Sequence, residues 1–231
     1  MAHQDDELRC LGTMLKMRAR GDQLHFICLT GGEMGMAHKP DMPLDEAART
    51  REVEMRNLCE AVGATYQCLG FEDEFLFDTK ETRLALIDAL RKTKADVIFT
   101  HNDQDYNLDH MTVCRLVRQC AMQMSFPMIK TETPPAPGTP AVFQCEPSGG
   151  FAFEPTIWVD ISDFEEEKER LARMHVSQDE AFVALFGPEN GIAAWMKQTT
   201  AYRGSQVDVA HAEAFRPMQS RNFVRGKAIL P

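Results

Sequence analysis

The chain has 231 residues, 44% of them hydrophobic, and its 25 Lys and Arg stand against 35 Asp and Glu, giving a formal net charge of -10. This length and apolar content suit one domain with a full core. The acidic balance argues against nucleic acids and anionic membranes as partners, because both require a basic surface. It is compatible with a neutral small molecule.

The cysteine pattern and the first residues bear on the cellular compartment. Seven cysteines are scattered along the chain without a C-x-x-C pair. An odd number of cysteines inside apolar patterns is typical of free, buried thiols in a reducing compartment. The amino-terminal residues are too polar for a secretory signal, and no apolar run reaches the length of a membrane span. We therefore expect a cytoplasmic protein without a membrane partner.

Short apolar runs alternate with amphipathic stretches along the chain, a pattern typical of an α/β domain. The expected architecture is a Rossmann-like three-layer sandwich around a mainly parallel sheet. In chain order, the predicted elements are helix 8–20, strand 23–29, helix 44–62, strand 66–69, helix 79–92 with Asp78 as its N-cap, strand 97–100, helix 109–124, strands 142–145 and 157–161, a charged helix opened by an S-x-x-E capping box at Ser162, and helix 191–203. No composition break divides the chain, so residues 1–231 are expected to form one domain.

The start of the chain poses a topological question. In a parallel sheet, the loops that carry a functional site follow the carboxyl ends of strands. The segment from His3 to Asp6 has the composition of such a loop, but only Met1 and Ala2 precede it. We expect that a first strand is missing from the amino terminus of this sequence. A strand from elsewhere in the chain in that central position would contradict this expectation.

Two segments are dense in potential metal ligands, A-H-Q-D-D-E at residues 2–7 and H-N-D-Q-D-Y-N-L-D-H at residues 101–110. A His and an Asp three residues apart can bind one ion from a tight turn, and a second His from a neighbouring strand end completes a catalytic zinc set. A further Asp outside the metal could accept a proton from water. Asp at a helix start is also a common cap, so either segment alone leaves both interpretations open.

These segments resemble the PIG-L and LmbE-like zinc N-deacetylases. The family signature A-H-P-D-D-E reads A-H-Q-D-D-E here, and the later H-P-D-H reads N-L-D-H at residues 107–110. The resemblance spans nearly the whole chain, because further family-like segments follow in the correct order: L-T-G-G-E at 29–33, R-x-x-E at 51–54, L-G-F-E-D at 69–73, V-D-I-S at 159–162, H-V-S-Q at 175–178 and A-E-A-F at 212–215.

The resemblance implies a role for each matched position. Three positions match the ligands of one Zn²⁺ ion, for which iron can substitute: His3, Asp6 and His110. Three more match positions that hold the substrate: Arg51, Asp73 and, more weakly, Glu33. Asp5 matches the general base, which activates water at the metal and later returns the proton to the departing amine.

Asn107 departs from the family pattern, which has a His there that is implied to stabilise the oxyanion or protonate the leaving group. Asn can donate a neutral hydrogen bond but carries neither a proton nor a charge. We expect Asn107 and Asp109 to act in catalysis, with both proton transfers falling to Asp5. Asp109, without a His to orient, is expected near a metal ligand. For His101 and His175, a role at the site and a packing role both remain open.

The expected function is zinc-dependent removal of an N-acetyl or other N-acyl group, with a small N-acylated glucosamine-type sugar or its conjugate as the substrate. Two alternatives remain. One is a hydrolase of another amide on the same scaffold, and the other is a catalytically silent, metal-containing sugar-binding protein. Members of the family form oligomers, so the resemblance is compatible with a homo-oligomer, but no surface stripe in the sequence predicts one.

Overall fold

The computed structural model describes residues 1–218, in which strands and helices alternate. The strands are β1 His25–Thr30, β2 Thr65–Phe71, β3 Val97–Thr100, β4 Ala141–Cys145, β5 Ile157–Asp160 and β6 Ala212–Pro217. The helices are α1 Leu11–Ala19, α2 Leu44–Val62, α3 Lys80–Thr93, α4 Leu108–Gln123, α5 Glu165–Ala172, α6 Val176–Phe186 and α7 Ile192–Ser205. Short 3-10 turns cover Asp6–Arg9, Glu33–Met36, Ser148–Gly150 and Ser162–Phe164.

The strands form two groups. β1 and β2 are parallel, and β3, β4, β6 and β5 lie side by side in that order, with β6 antiparallel to both of its neighbours. Successive side chains of a strand point to opposite faces. Phe143 of β4 accordingly joins the core formed with α1 and α2, whereas Val142 joins the core formed with α3 and α4. Helices cover both faces, which confirms the predicted three-layer α/β fold.

Most predicted elements are present with boundary shifts of one or two residues, but the first helix and one cap differ. The predicted helix 8–20 is divided at Cys10, which separates the 3-10 turn Asp6–Arg9 from α1. α3 is capped by Thr79 instead of Asp78, because the Thr79 hydroxyl accepts the N–H of Thr82. Hydroxyl and carboxylate caps serve the same exposed N–H groups, so sequence alone does not separate two adjacent candidates.

The carboxyl-terminal third differs most from prediction. Ser162 does not form a capping box, because its hydroxyl donates to the Asp160 carboxylate at 2.7 Å and a 3-10 turn precedes α5. Helix α6 and strand β6 were not predicted. In β6 the charged residue Glu213 is buried among apolar neighbours, so the strand lacks the simple alternation that identifies a half-buried strand.

The buried Glu213 carboxylate joins β6 to two helices. Its oxygens accept the N–H groups of Gly12 and Thr13 at the start of α1, at 2.8 and 2.7 Å, and lie 2.7 Å from Lys168 of α5. Glu213→Ala would leave the Lys168 ammonium buried without its partner, so we expect it to lower the free energy of unfolding by about 3–5 kcal/mol in a urea titration. Asp45→Ala, at an exposed ion pair, should leave the midpoint unchanged. A similar midpoint for both variants would contradict this role.

The first two residues lie along β1. The carbonyl oxygens of Met1 and Ala2 accept N–H groups of β1 at 3.1 Å, and the N–H of Ala2 donates to Nε2 of His101 at 2.9 Å. Below them, an apolar cavity of about 120 Å³ lies between β1 and β3. Within residues 1–218, β1 pairs only with β2, and β3 pairs only with β4.

Candidate metal centre and its cavity

The turn at residues 3–6 and the loops after β1, β2 and β3 meet around a cavity of about 180 Å³. This edge holds the carboxyl ends of parallel strands, where sites of α/β folds form. Seven of the nine predicted site residues line the cavity: His3, Asp5, Asp6, Arg51, Asp73, Asn107 and His110. Glu33 and Asp109 do not line it.

His3, Asp6 and His110 are buried and their ligand atoms face one another. Nδ1 of His3 lies 3.2 Å from Nε2 of His110, and the Asp6 carboxylate oxygens lie 3.2 Å from the His110 nitrogen and 3.5 Å from the His3 nitrogen. Two ligands of a tetrahedral zinc ion at ~2.0–2.1 Å are about 3.3 Å apart. The three residues therefore fit one zinc ion, and all three line the cavity.

Two other groups of potential ligands share members with this triad: His101, Asp105 and His110, and His3, Asp73 and Asp109. Both are less suitable. Nε2 of His101 already accepts the N–H of Ala2. The two oxygens of Asp109 accept the backbone N–H groups of Glu74 and Leu76 at 2.8 and 3.2 Å, so both are already engaged.

In each histidine of the triad, the ring nitrogen that does not face the other ligands, here called the outer nitrogen, contacts a carboxylate. Asp73 lies 2.7 Å from Nε2 of His3, and Asp105 lies 3.1 Å from Nδ1 of His110. Burial opposes protonation of both rings, but the surrounding carboxylates outweigh it and raise the pKa of His3 and His110 above 6.5. Such outer carboxylates fix the ring orientation and increase the basicity of a metal ligand. Asp105 was not predicted from the sequence.

Asp5 lies beside the triad but outside it. Its backbone has a φ of 104°, and its N–H donates to the Glu7 carboxylate at 3.0 Å. This left-handed turn directs the side chains of Asp5 and Asp6 apart, so that Asp5 lines the cavity and pairs with Arg51 at 3.1 Å. Burial raises the pKa of Asp5, although the Arg51 guanidinium opposes the shift. A carboxylate with a raised pKa is a better proton acceptor.

Arg51 is buried and donates to the carbonyl oxygens of Gly32, at 2.9 Å, and Gln4. A Cβ atom at Gly32 or Gly35 would overlap its guanidinium. Both glycines therefore allow the loop after β1 to close over Arg51. Arg51 thus holds Asp5 and two loops in place while it lines the cavity, and its predicted contact with the substrate stays a prediction.

Gln4 replaces the family proline without loosening the turn. Its side chain is fully buried and donates to the Thr30 carbonyl at 3.3 Å and to the Tyr66 hydroxyl at 3.1 Å. These bonds connect the ligand turn to the ends of β1 and β2. A polar side chain therefore supplies the constraint that a proline ring would supply through its fixed φ.

The remaining predicted residues brace the loops around the triad. The Asn107 side-chain oxygen caps α4 by accepting the N–H groups of Asp109 and His110, and its amide donates to Glu74 at 3.0 Å. Asp109 lies 3.6 Å from Nε2 of His3. Glu33 accepts the N–H of Asp73 at 3.0 Å. The catalytic roles of Asn107 and Asp109 and the substrate contact of Glu33 stay predictions.

His101 and His175 support the site from behind. Burial, together with His110, lowers the pKa of His101 to about 3, and this neutral ring stacks on His110 with the centroids 4.0 Å apart. His175 is fully buried, with Nε2 2.6 Å from the Glu7 carboxylate that accepts the N–H of Asp5. His101 thus packs against a triad ring, and His175 fixes the turn at Asp5.

Arg9 lines the cavity and was not identified from the sequence. Its terminal nitrogens donate to the Glu146 carbonyl at 2.9 Å and to the Ser148 hydroxyl at 3.0 Å. Nε lies 3.7 Å from the Asp6 carboxylate. Arg9 stands in the first turn after the ligand motif, where a charged residue in a sequence is usually solvent-exposed.

Comparison with known proteins agrees with this geometry. Residues 1–121 match the family model PIG-L, described as GlcNAc-PI de-N-acetylase. A search of curated proteins finds no significant match. Among solved structures, the conserved protein TT1542 from Thermus thermophilus is 28% identical with a TM-score of 0.79, covering 98% of this chain and 96% of that one.

Two further structures share the fold. N,N'-diacetylchitobiose deacetylase from Pyrococcus horikoshii is 22% identical with a TM-score of 0.79, covering 94% of this chain and 80% of that one. GalB, the 4-carboxy-2-hydroxymuconate hydratase from Pseudomonas putida KT2440, is 20% identical with a TM-score of 0.81, covering 98% and 97%. Within the described part of this chain, no helix combines the length and apolarity needed to cross a membrane. With the family match covering just over half of its residues, the chain belongs to the PIG-L family of enzymes.

Proposed function

We propose that this enzyme is a zinc-dependent N-deacetylase that acts on an N-acetylated glucosamine-type sugar or its conjugate. The observation that carries the proposal is the triangle of His3, Asp6 and His110 ligand atoms at one wall of a cavity that also presents Asp5. The family match supports deacetylation, and the diacetylchitobiose deacetylase named above has the same fold. A silent binding protein would not need a further carboxylate in the cavity beside the metal ligands.

Metal binding, proton transfer and positioning are assigned to different residues of the site. His3, Asp6 and His110 would hold the ion, which when bound supplies Lewis acidity towards the carbonyl and makes water more acidic. Asp5 accepts the proton of the attacking water, and its raised pKa suits this role. The same carboxyl then returns the proton to the departing amine. Arg51 holds Asp5 in place through their ion pair.

Asn107 can contribute little to oxyanion stabilisation and nothing to proton transfer. Its amide donates to the Glu74 carboxylate and its oxygen caps α4, so a neutral N–H is the most that it offers to a developing oxyanion. A neutral hydrogen bond is roughly half as strong as a charge-assisted one. We infer that Asp5 carries both proton transfers.

An amine-release assay tests the proposal. Protein stripped with a chelator and then restored with one equivalent of zinc is incubated with N-acetylglucosamine, N-acetylgalactosamine and N,N'-diacetylchitobiose. We expect amine release from at least one sugar by the zinc-restored protein and none by the stripped protein. Full zinc loading without amine release from any N-acetyl sugar would contradict the deacetylase assignment.

Addition of water to a carboxylated alkene is the second candidate function. Hydration adds a hydroxyl to one alkene carbon and a proton to the other, and the proton that Asp5 takes from water could return to that second carbon. The reaction therefore needs no protonatable side chain at Asn107. GalB, named as a hydratase, shares the fold over 97% of its length. Loss of alkene absorbance without amine release, in the same metal-restored protein, would select this activity.

The cysteines support a reducing location for the enzyme. All seven are free and six are buried, as expected of a protein that works in the cytoplasm.

A further inference from the structure

Arg9 is a buried cation whose hydrogen bonds go to neutral oxygens. Its side chain is 9% exposed, and its terminal nitrogens donate to the Glu146 carbonyl and the Ser148 hydroxyl. The nearest carboxylate oxygen, on Asp6, is 3.7 Å from Nε, which is beyond hydrogen-bond distance. A guanidinium has five N–H donors, so donors remain for a further acceptor.

Arg51, the other cation that lines the cavity, differs in this respect. Its guanidinium is paired with Asp5 at 3.1 Å and is enclosed by the loop at Gly32 and Gly35. The carboxylate closest to Arg9 is that of Asp6, which belongs to the proposed metal triad. Asp5 and Asp105 also lie near it, but Asp5 pairs with Arg51 and Asp105 contacts His110. A bound divalent ion would share the Asp6 charge and leave the guanidinium without a carboxylate of its own. A buried charge without a close partner is destabilising, which favours binding of an anion from outside.

The charges around the cavity permit an anionic guest. Among residues 1–218, four carboxylates and two guanidiniums line it, so a divalent ion at the triad would balance their charges. Arg9 also borders a second cavity, which lies beside α7 and is lined by Ser148 and Trp195. Since both residues line the metal cavity as well, the two spaces adjoin at Arg9. A group held there would extend from the reacting amide towards α7.

We propose that Arg9 binds a carboxylate of the substrate, so that the enzyme acts on an acid-bearing N-acyl compound. The inference rests on the proposed function only for placing the acyl group at the triad. The guanidinium fork matches a carboxylate through two parallel N–H donors. Its bonds to the Glu146 carbonyl and the Ser148 hydroxyl hold the fork in place and leave further N–H donors for a carboxylate. Arg9 is therefore a specificity residue rather than a loop brace.

Fluorescence titration tests this with matched ligands. The chain has two tryptophans, so Trp158→Phe leaves Trp195, in the cavity lining, as the reporter. The zinc-loaded protein is titrated with N-acetylmuramic acid and N-acetylglucosaminuronic acid, each against its methyl ester, which keeps the shape and removes the charge. We expect at least one acid to bind about 10-fold or more tightly than its ester, the size of a charged hydrogen bond.

Variants assign the preference to Arg9. Arg9→Gln should bring the acid-to-ester ratio to about one, and Arg49→Gln, at an exposed position of α2, should leave it unchanged. Ser148→Ala keeps the charge and should reduce the ratio only in part. Equal binding of acid and ester by the zinc-loaded parent protein, or no binding of either acid, overturns the proposal even if Arg9→Gln does not fold.

Different results would contradict the deacetylase activity and the carboxylate site at Arg9. Acids that bind through Arg9 without amine release keep the carboxylate site and contradict deacetylation. Hydrolysis of neutral N-acetyl sugars by the zinc-loaded parent protein, together with acids that bind no more tightly than their esters, keeps deacetylation and overturns the carboxylate site.

Discussion

Asp5→Asn should lower kcat for amine release by about 10²–10⁴-fold while zinc content stays at the parental level. The substitution keeps the size of the side chain and removes its capacity to accept a proton. Metal retention is expected because Asp5 lies outside the His3, Asp6 and His110 triad. Arg51 also stays in place, because it still donates to the carbonyl oxygens of Gln4 and Gly32. Amine release under saturating substrate and metal analysis of the same sample measure both quantities.

A matched control is Asp163→Asn, at an exposed position on the 3-10 turn before α5. This variant should retain both activity and zinc. If Asp5→Asn loses zinc together with activity, Asp5 acts on the metal and not as a base. Parental kcat in Asp5→Asn would show that another group accepts the proton.

His110→Ala should weaken zinc binding by more than about 100-fold and abolish activity at stoichiometric zinc. Loss of an outer hydrogen-bond partner alone weakens metal binding by about 10–100-fold, and His110 supplies a ligand atom. The residue is buried at the start of α4, with Nε2 facing Asp6 at 3.2 Å. Zinc competition with a chromophoric chelator measures the change.

Asp105→Asn should have the same kind of effect on zinc binding as His110→Ala, but a smaller one. Asp105 lies 3.1 Å from the outer nitrogen of His110, so its loss should weaken zinc binding by about 10–100-fold, less than the loss of the ligand. His25→Gln, on β1 with a bond to the Thr65 hydroxyl, should not change zinc affinity. Parental zinc affinity in His110→Ala would refute the triad as the metal site.

The fold and the central residues of the site follow from local patterns. Alternating apolar runs predicted the three-layer α/β architecture, because strands and helices differ in the spacing of their hydrophobic residues. His3 and Asp6 share one turn, so their spacing predicted a common site. A third ligand from a neighbouring strand end was expected from the topology, and the resemblance to the PIG-L and LmbE-like family assigned it to His110. The family match to residues 1–121 covers this same part of the chain.

The supporting residues could not be predicted, because their partners are distant in sequence or because several neighbouring acids compete for the same role. Asp105 stands in a segment with several acids, and only the fold shows which one reaches His110. His175 meets Glu7 across 168 positions. Arg9 reaches residues 146–148 from the amino-terminal turn. No local period encodes such contacts, which depend on how the carboxyl-terminal helices pack behind the ligand turn.

The two groups of strands share no strand pairing within residues 1–218, and an apolar cavity lies between β1 and β3. His3 follows the segment bonded to β1, and His110 stands on the helix after β3. An ion held by both would therefore cross-link the two halves of the sheet. Ligands that bind only the folded state stabilise it in proportion to the logarithm of their free concentration. The stability of the fold and the fraction of active enzyme would then both depend on the concentration of free zinc.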